Sequence, residues 1–153
     1  MKVLLIQPPI EDFYNTSIRT YPLSLLYLAS RIKDICDVSV VDMRSKNRQI
    51  LKTHPFPELD PFYRADTSTP FSLFSSYSRF GMNRPEIERV IHSHKPDVVG
   101  ISSLFTTYSR EAIEVAQIAK EVGRHIVTVL GGTHPTLFPE QCLESKYVDY
   151  VLR

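Results

Sequence analysis

Two short loops carry most of the side chains with chemistry to offer. The first reads Ser102-Ser103-Leu104-Phe105-Thr106-Thr107-Tyr108-Ser109 and holds five Ser or Thr hydroxyls, a tyrosine and two apolar side chains. Hydroxyls donate and accept, so the run suits a neutral ligand rich in amides, ribose or phosphodiester oxygens. It contains no carboxylate or lysine for acid–base work; the plainer alternative is capping of the helix that follows. The second loop is Leu130-Gly131-Gly132-Thr133-His134-Pro135. Paired glycines after a buried strand permit a positive φ or let another group approach the backbone closely. A flat ligand lying against strand ends needs that clearance; an ordinary strand-to-helix turn is the alternative.

Other chemistries find less support. All five glycines lie at 81, 100, 123, 131 and 132, so none stands in the first 80 residues. A phosphate-binding loop after the first strand is thereby excluded, because both the dinucleotide fingerprint and the P-loop need glycines there. Gln7-Pro8-Pro9-Ile10 cannot replace a flavin phosphate loop. A phosphoacceptor domain needs an aspartate where Ile101-Ser102 stand, and Asp42 reads as a strand-end residue. Cys36 and Cys142 are too few for a disulfide framework, a four-thiolate zinc site or an iron–sulfur cluster. His92 and His94 sit two apart near a helix end, which points their rings away from each other. His54 and His125 have no assembled partners.

The elements that must position these loops follow from apolar runs and prolines. Val3–Ile6 is a continuous apolar run closed by Pro8-Pro9, as expected of a strand buried on both faces. Pro22 opens a helix to about residue 34, with Leu25, Leu28, Ala29 and Ile32 on one face. Residues 38–42 form a second strand whose partial alternation places it at a sheet edge. Pro85 opens a short helix, residues 97–101 form a third strand, and Ser109 caps a helix ending at Gly123. Residues 126–130 form a fourth strand, Pro135 starts a helix to about Ser145, and residues 148–152 form a fifth. Strand and helix in alternation predict an α/β, flavodoxin-like five-stranded parallel sheet of order 2-1-3-4-5 with helices on both faces. Ligands of such sheets bind beyond the carboxyl ends of the strands, where both loops fall.

The 153 residues suit one domain, 1–153. Residues 43–84 break the rhythm with four prolines, several serines and seven aromatics, and read as an ordered insertion packing its aromatics on this domain, a ligand or a partner. Lys plus Arg number 18 and Asp plus Glu 17, a net charge of +1 that argues against a nucleic-acid partner. No apolar run approaches a membrane span, and the first apolar stretch is too short for a secretory signal, so the cytoplasm is the expected compartment.

The order and spacing of several pieces resemble the N-terminal cobalamin-binding domain of cobalamin-dependent radical SAM proteins. They are Val3–Pro9, Tyr21-Pro22-Leu23 leading into Leu26–Ala29, Lys95–Ser102, Gly131–Pro135 and Val148–Arg153. The family's Ser-x-Leu element, which helps hold the nucleotide tail, matches Ser102-Ser103-Leu104; its Gly-Gly element matches Gly131-Gly132. The resemblance implies a corrin ring over the strand ends. Its contacts would come from Pro8, Tyr21 and Leu23, from Ser102, Leu104, Phe105 and Thr106, and from Gly131, Gly132, Thr133 and His134. Classical members carry a cobalt-ligating His in an Asp-x-His-x-x-Gly loop after the first strand. Residues 7–21 contain neither His nor Gly, so no protein imidazole below cobalt is expected and no metal-ligating residue is assigned. His134 is expected to play a polar or structural part.

The family continues into a barrel with a Cys-x-x-x-Cys-x-x-Cys motif that this chain lacks. S-adenosylmethionine, a 4Fe-4S cluster and radical chemistry of methyltransferase or cyclase type are therefore expected only in a downstream radical SAM domain acting in cis. The alternatives are a degenerate domain serving as a docking or substrate-recognition module without cofactor, and a stand-alone binder of another nucleotide-like ligand.

Overall fold

The computed structural model describes residues 1–13, 21–44, 48–59, 61 and 76–153. Five parallel strands make the main sheet: β1 (Lys2–Gln7), β3 (Asp37–Asp42), β6 (Val98–Ser102), β7 (Val127–Gly131) and β8 (Tyr150–Leu152). Their spatial order is β3-β1-β6-β7-β8, which is 2-1-3-4-5 among the sheet's own strands. β1 lies inside the sheet, paired with β3 and β6, so its apolar run is buried from Val3 through Ile6. β3 is the edge that its alternating pattern announced.

Alternation along each strand divides the core in two. Leu4, Ile6, Val99, Ile101 and Leu130 face α2 (Arg84–His94) and α3 (Ser109–Val122), packing with Ile87, Ile91, Ala112, Val115 and Ala119. Val3, Leu5 and Val98 face α1 (Leu23–Ile32), which contributes Leu25, Ala29 and Ile32. Leu28, placed on that buried face by its spacing, is exposed instead, and Leu23, Leu26 and Tyr27 are exposed beside it. Asn83 starts α2 with a capping box: its side chain accepts from the Glu86 N–H and the Glu86 carboxylate accepts from the Asn83 N–H.

Ser109 is the first residue of α3 and not its cap; Tyr108 holds the cap position and its side chain makes no capping hydrogen bond. Gly123 ends that helix as expected, in extended backbone with φ −163°. The helix expected over 135–145 is two pieces, α4 (Thr133–Leu137) and α5 (Pro139–Leu143), broken at Phe138 with φ −131° and ψ 56°. A residue before proline is pushed out of the helical region by the ring's Cδ, so Pro139 forces the break.

The insertion supplies a second sheet that the sequence pattern did not reveal. β4 (Arg48–Ile50) and β5 (Ser78–Phe80) pair antiparallel, and β5 also pairs with β2 (Ile10–Asp12), giving the order β2-β5-β4. Its aromatics pack on this chain: Tyr77 lies 5.0 Å from Phe13 and 6.3 Å from Phe56, between ring centroids. Phe62, Tyr63, Phe71 and Phe74, also expected to pack, lie outside the described residues. Among the described residues no helix is long and apolar enough to cross a membrane.

Candidate functional site

β1 ends in Gln7-Pro8-Pro9, and the two prolines end the parallel pairing because they bring no N–H to a ladder. The chain leaves the main sheet there and enters β2. β6 ends at Ser102 and runs into the hydroxyl-rich loop. Where these two strands part, a cleft of about 480 Å³ opens at the carboxyl end of the sheet. Pro8, Pro9 and Ile10 form one wall; Tyr21, Pro22 and Leu23 at the start of α1 form a second; Leu104 and Phe105 form a third. The floor is polar, with Gln7, Ser102 and Ser103 all buried. The volume falls within the ordinary range for small-molecule sites, and apolar walls over a few buried polar groups are the usual pattern.

Two features fix what the cleft can bind. The Ser103 hydroxyl oxygen is buried without a hydrogen-bond partner. Such a group carries its desolvation cost until a partner arrives, so it favours a ligand with a polar atom at that depth. Arg44 reaches the rim with its guanidinium held by Asp42, Nε to Oδ1 at 2.9 Å and one terminal nitrogen to Oδ2 at 2.7 Å. Asp42 is thereby committed to Arg44, and the strand-end reading is its observed role. Tyr108 borders the cleft and donates its hydroxyl to Asp12 Oδ2 at 2.6 Å; burial and that bond push its phenol above the usual range. Among the described residues the lining holds no carboxylate, lysine, histidine or cysteine, and no three His, Cys, Asp or Glu side chains gather to hold a metal ion. The cleft is equipped to bind, with no assembled acid, base or nucleophile.

Six of the eleven residues singled out from the sequence line this cleft: Pro8, Tyr21, Leu23, Ser102, Leu104 and Phe105. Thr106, Gly131, Gly132, Thr133 and His134 do not. Thr106 and Thr133 are exposed, and Thr106 Oγ1 lies 3.2 Å from His134 Nδ1. His134 is 3% exposed, its ring lies tilted 5.4 Å from that of Phe138 between centroids, and burial pushes its imidazole below the ordinary pKa.

The two glycines separate on physical grounds. Gly132 has φ +121°, and a Cβ there would stand 2.6 Å from the Ser103 carbonyl oxygen. The protein's own backbone explains this glycine, since it lets the two strand-end loops touch. Gly131 is different. A Cβ there would meet only Leu152 Cβ, at 3.8 Å. Gly131 pairs with Ser102, and its carbonyl accepts from the Ser103 N–H at 2.8 Å. Among the described residues nothing in the packing demands a glycine at 131, so the clearance reading rests on it alone.

Sequence reasoning missed Gln7, Ile10 and Arg44 in the lining; Ser103 and Tyr108 stood in the hydroxyl-rich loop but were given no individual role. Gln7 and Ile10 carried a signal in their place beside the strand-ending prolines. Arg44 carried none.

A parallel α/β sheet with a cleft at its carboxyl edge belongs to the class of folds that bind ligands at their strand ends. Comparison with known proteins narrows the class. The family described as B12 binding domain matches residues 76–153. The chain belongs to that family. A cytidylyl-2-hydroxyethylphosphonate methyltransferase of Streptomyces wedmorensis is 30% identical over 98% of this chain and 25% of its own length. An uncharacterized methyltransferase of Pyrococcus horikoshii is 28% identical over 100% of this chain and 26% of its own. An anaerobic magnesium-protoporphyrin IX monomethyl ester cyclase of Rubrivivax gelatinosus is 37% identical over 47% of this chain and 13% of its own. The chain thus spans about a quarter of the length of the two methyltransferases.

Proposed function

We propose that this chain binds cobalamin by burying the cofactor's nucleotide arm in the cleft, and presents the corrin to a catalytic domain elsewhere. The observation that carries the reading is the apolar-walled cleft at the strand ends, lined by Ser103, whose buried hydroxyl has no partner, in a member of the B12 binding domain family. The residues fit the group. Ser102, Ser103 and Gln7 offer hydrogen bonds to base nitrogen, ribose or amide atoms. Leu104, Phe105, Pro9 and Ile10 offer apolar contact to a flat aromatic base. The cleft suits an arm and not a whole macrocycle, so the ring lies outside it, over Gly131 and the exposed Leu104 and Phe105. With no imidazole in the lining, the corrin is held through its periphery and its arm, not through the metal. His134, on this reading, keeps the second loop in place.

When bound, cobalamin supplies organocobalt chemistry to the site it faces. This chain's part is to bind, orient and keep the arm away from cobalt. Exposed Tyr150 and Leu152, on the sheet face that Gly131 shares, suit a surface covered by further polypeptide. We read that polypeptide as a radical SAM domain in cis, binding S-adenosylmethionine and a 4Fe-4S cluster and working as a methyltransferase or cyclase, in the cytoplasm. The names of the relatives support the methyltransferase or cyclase part.

Hydroxocobalamin mixed with the purified chain should co-elute with it on gel filtration. Absence of retention, both in this chain and in a longer form carrying a catalytic domain, sinks the proposal. Ser103→Ala gives a finer test. Removing a buried hydroxyl that has no partner should leave the unliganded chain at least as stable, while affinity falls about 5- to 20-fold for one lost bond. A fall in stability with unchanged affinity assigns Ser103 to the fold alone.

A further inference from the structure

A buried cluster of charged groups lies between the small sheet and α3, outside the binding cleft. Arg79, 7% exposed, is its centre. One terminal nitrogen meets Glu11 Oε1 at 2.8 Å, the other meets Glu114 Oε2 at 2.9 Å, and Nε donates to the Met82 carbonyl at 2.8 Å. β2 supplies Glu11, β5 supplies Arg79 and α3 supplies Glu114, so one guanidinium ties three elements together. Asp12, next on β2, accepts from Tyr108 at 2.6 Å.

Glu111 is the member left over. It sits in the first turn of α3 and is 3% exposed, and its Oε2 has no hydrogen-bond partner. The charged and titratable groups acting on it or beside it are Glu11 and Asp12 on β2, Tyr77 and Arg79 at β5, and Tyr108, Arg110 and Glu114 at or near the start of α3. With Glu111 ionised, four carboxylates face two guanidinium groups, and the most deeply buried of them has one oxygen without a partner, a hydrogen bond from its own backbone N–H favouring the charge only in part. With Glu111 protonated, the excess falls to one and the buried group is neutral.

We propose that the Glu111 carboxyl is a proton-operated latch that holds the small sheet against α3 and, through Ile10 and Tyr108, sets the width of the ligand cleft. Proton-bound, the sheet is docked and Ile10 completes the wall. Proton-free, the site stabilises itself by letting β2 and β5 move off α3, so that water reaches the carboxylate. Burial, ahead of the charge on Glu11, raises this carboxyl from 4.5 to about 7, so the change falls near neutral pH. The sign follows: the folded state holds the proton more tightly than the unfolded chain, so the latch's stabilisation is present at low pH and is lost as pH rises from about 4.5 through about 7.

The test uses the chain without cofactor. Backbone amide protection of Ile10–Asp12, corrected for the intrinsic exchange rate, should fall by about tenfold or more between pH 6 and pH 8.5. In Glu111→Gln, which cannot ionise, it should stay level across that range. Equal slopes in the two proteins overturn the latch. Should Glu111→Gln fail to fold, Tyr108→Phe serves: it keeps Glu111 and cuts the link to Asp12. Protection should then still fall with pH while the cleft no longer follows it; a flat protection profile in Tyr108→Phe overturns the proposal. A second arm rests on the cobalamin reading. Cyanocobalamin should bind the wild-type chain several-fold more weakly at pH 8.5 than at pH 6, and equally at both in Glu111→Gln. Absence of cobalamin binding at every pH, with a sloping wild-type protection profile, removes the cofactor reading and keeps the latch.

Discussion

Gly132→Ala is expected to destabilise the fold by about 3 kcal/mol, while Gly131→Ala, one residue away, leaves stability within about 0.5 kcal/mol. At 132 the backbone has φ +121° and ψ −172°, a region that only glycine occupies without strain. The added Cβ would also stand 2.6 Å from the Ser103 carbonyl oxygen and 2.9 Å from its carbon, and these are backbone atoms with no rotamer to escape into. The loops after β6 and β7 would have to separate. The Ser103 N–H to Gly131 bond and the His134 N–H to Ser103 bond, 2.8 and 3.1 Å, would stretch with them. At 131 the same methyl meets ordinary contact distance and extended backbone. The two variants should reverse when ligand affinity is measured. Gly131→Ala fills the space over which the corrin is proposed to lie and should weaken cobalamin binding about tenfold or more, an overpacking cost above about 1.4 kcal/mol. Denaturant titration checks the first difference and equilibrium dialysis the second. A Gly131→Ala protein that binds as the wild type would remove Gly131 from the site.

Replacing Arg79 is the second large effect. Arg79→Ala strands Glu11 and Glu114, with side chains only 13% and 28% exposed, and should cost about 3–5 kcal/mol. Much of that is the penalty of leaving carboxylates without a counter-ion, not the intrinsic worth of the pairs. Arg79→Lys should recover only part of it, because an ammonium cannot reach two carboxylates and a carbonyl in the fixed geometry of a guanidinium. The loss should be local as well as global. β2 and β5 meet α3 through this residue, so Ile10 and the apolar wall it gives the cleft go with it. Urea unfolding gives the global figure. Protease cutting between residues 44 and 84 at native temperature, faster than in the wild type, marks the local one.

These two sites also mark what the sequence disclosed and what it withheld. The inner part of the main sheet was legible because Val3–Ile6, residues 98–101 and residues 126–130 are largely apolar runs of four or five residues, each leading on toward a helical repeat. Buried parallel strands need that composition whatever their neighbours, so Val3–Ile6 and Val98–Ile101 announce themselves. The edge place of β3 was legible for the complementary reason, since one side of it alternates. The small sheet left no such mark. β2 is three residues long and its partner strand β5 begins 66 residues after Asp12, so no local periodicity links them. The buried cluster depends on the same long-range pairing: Glu11, Arg79 and Glu111 look like surface charges until β2 meets β5. Part of the site was legible because strand ends in such sheets are where ligands bind, and Ser102, Leu104 and Phe105 are strand-end residues. Gly131 and Gly132 were visible as a pair, but what divides them is a φ of +121° at 132 and a clearance of 2.6 Å there against 3.8 Å at 131, neither of which local sequence carries. The break at Phe138 was available to local reasoning, since Pro139 sits directly after it.

The account centres on a cofactor held by its arm, with no imidazole on the metal. Electron paramagnetic resonance of reduced, paramagnetic cobalamin bound to the chain reads the axial ligand directly. The expected spectrum has no nitrogen splitting, because the proposal puts the benzimidazole in the cleft beside Ser103 and the lining holds no histidine among the described residues. A three-line splitting from one axial nitrogen, whether from the cofactor's own base or from a protein imidazole, contradicts it.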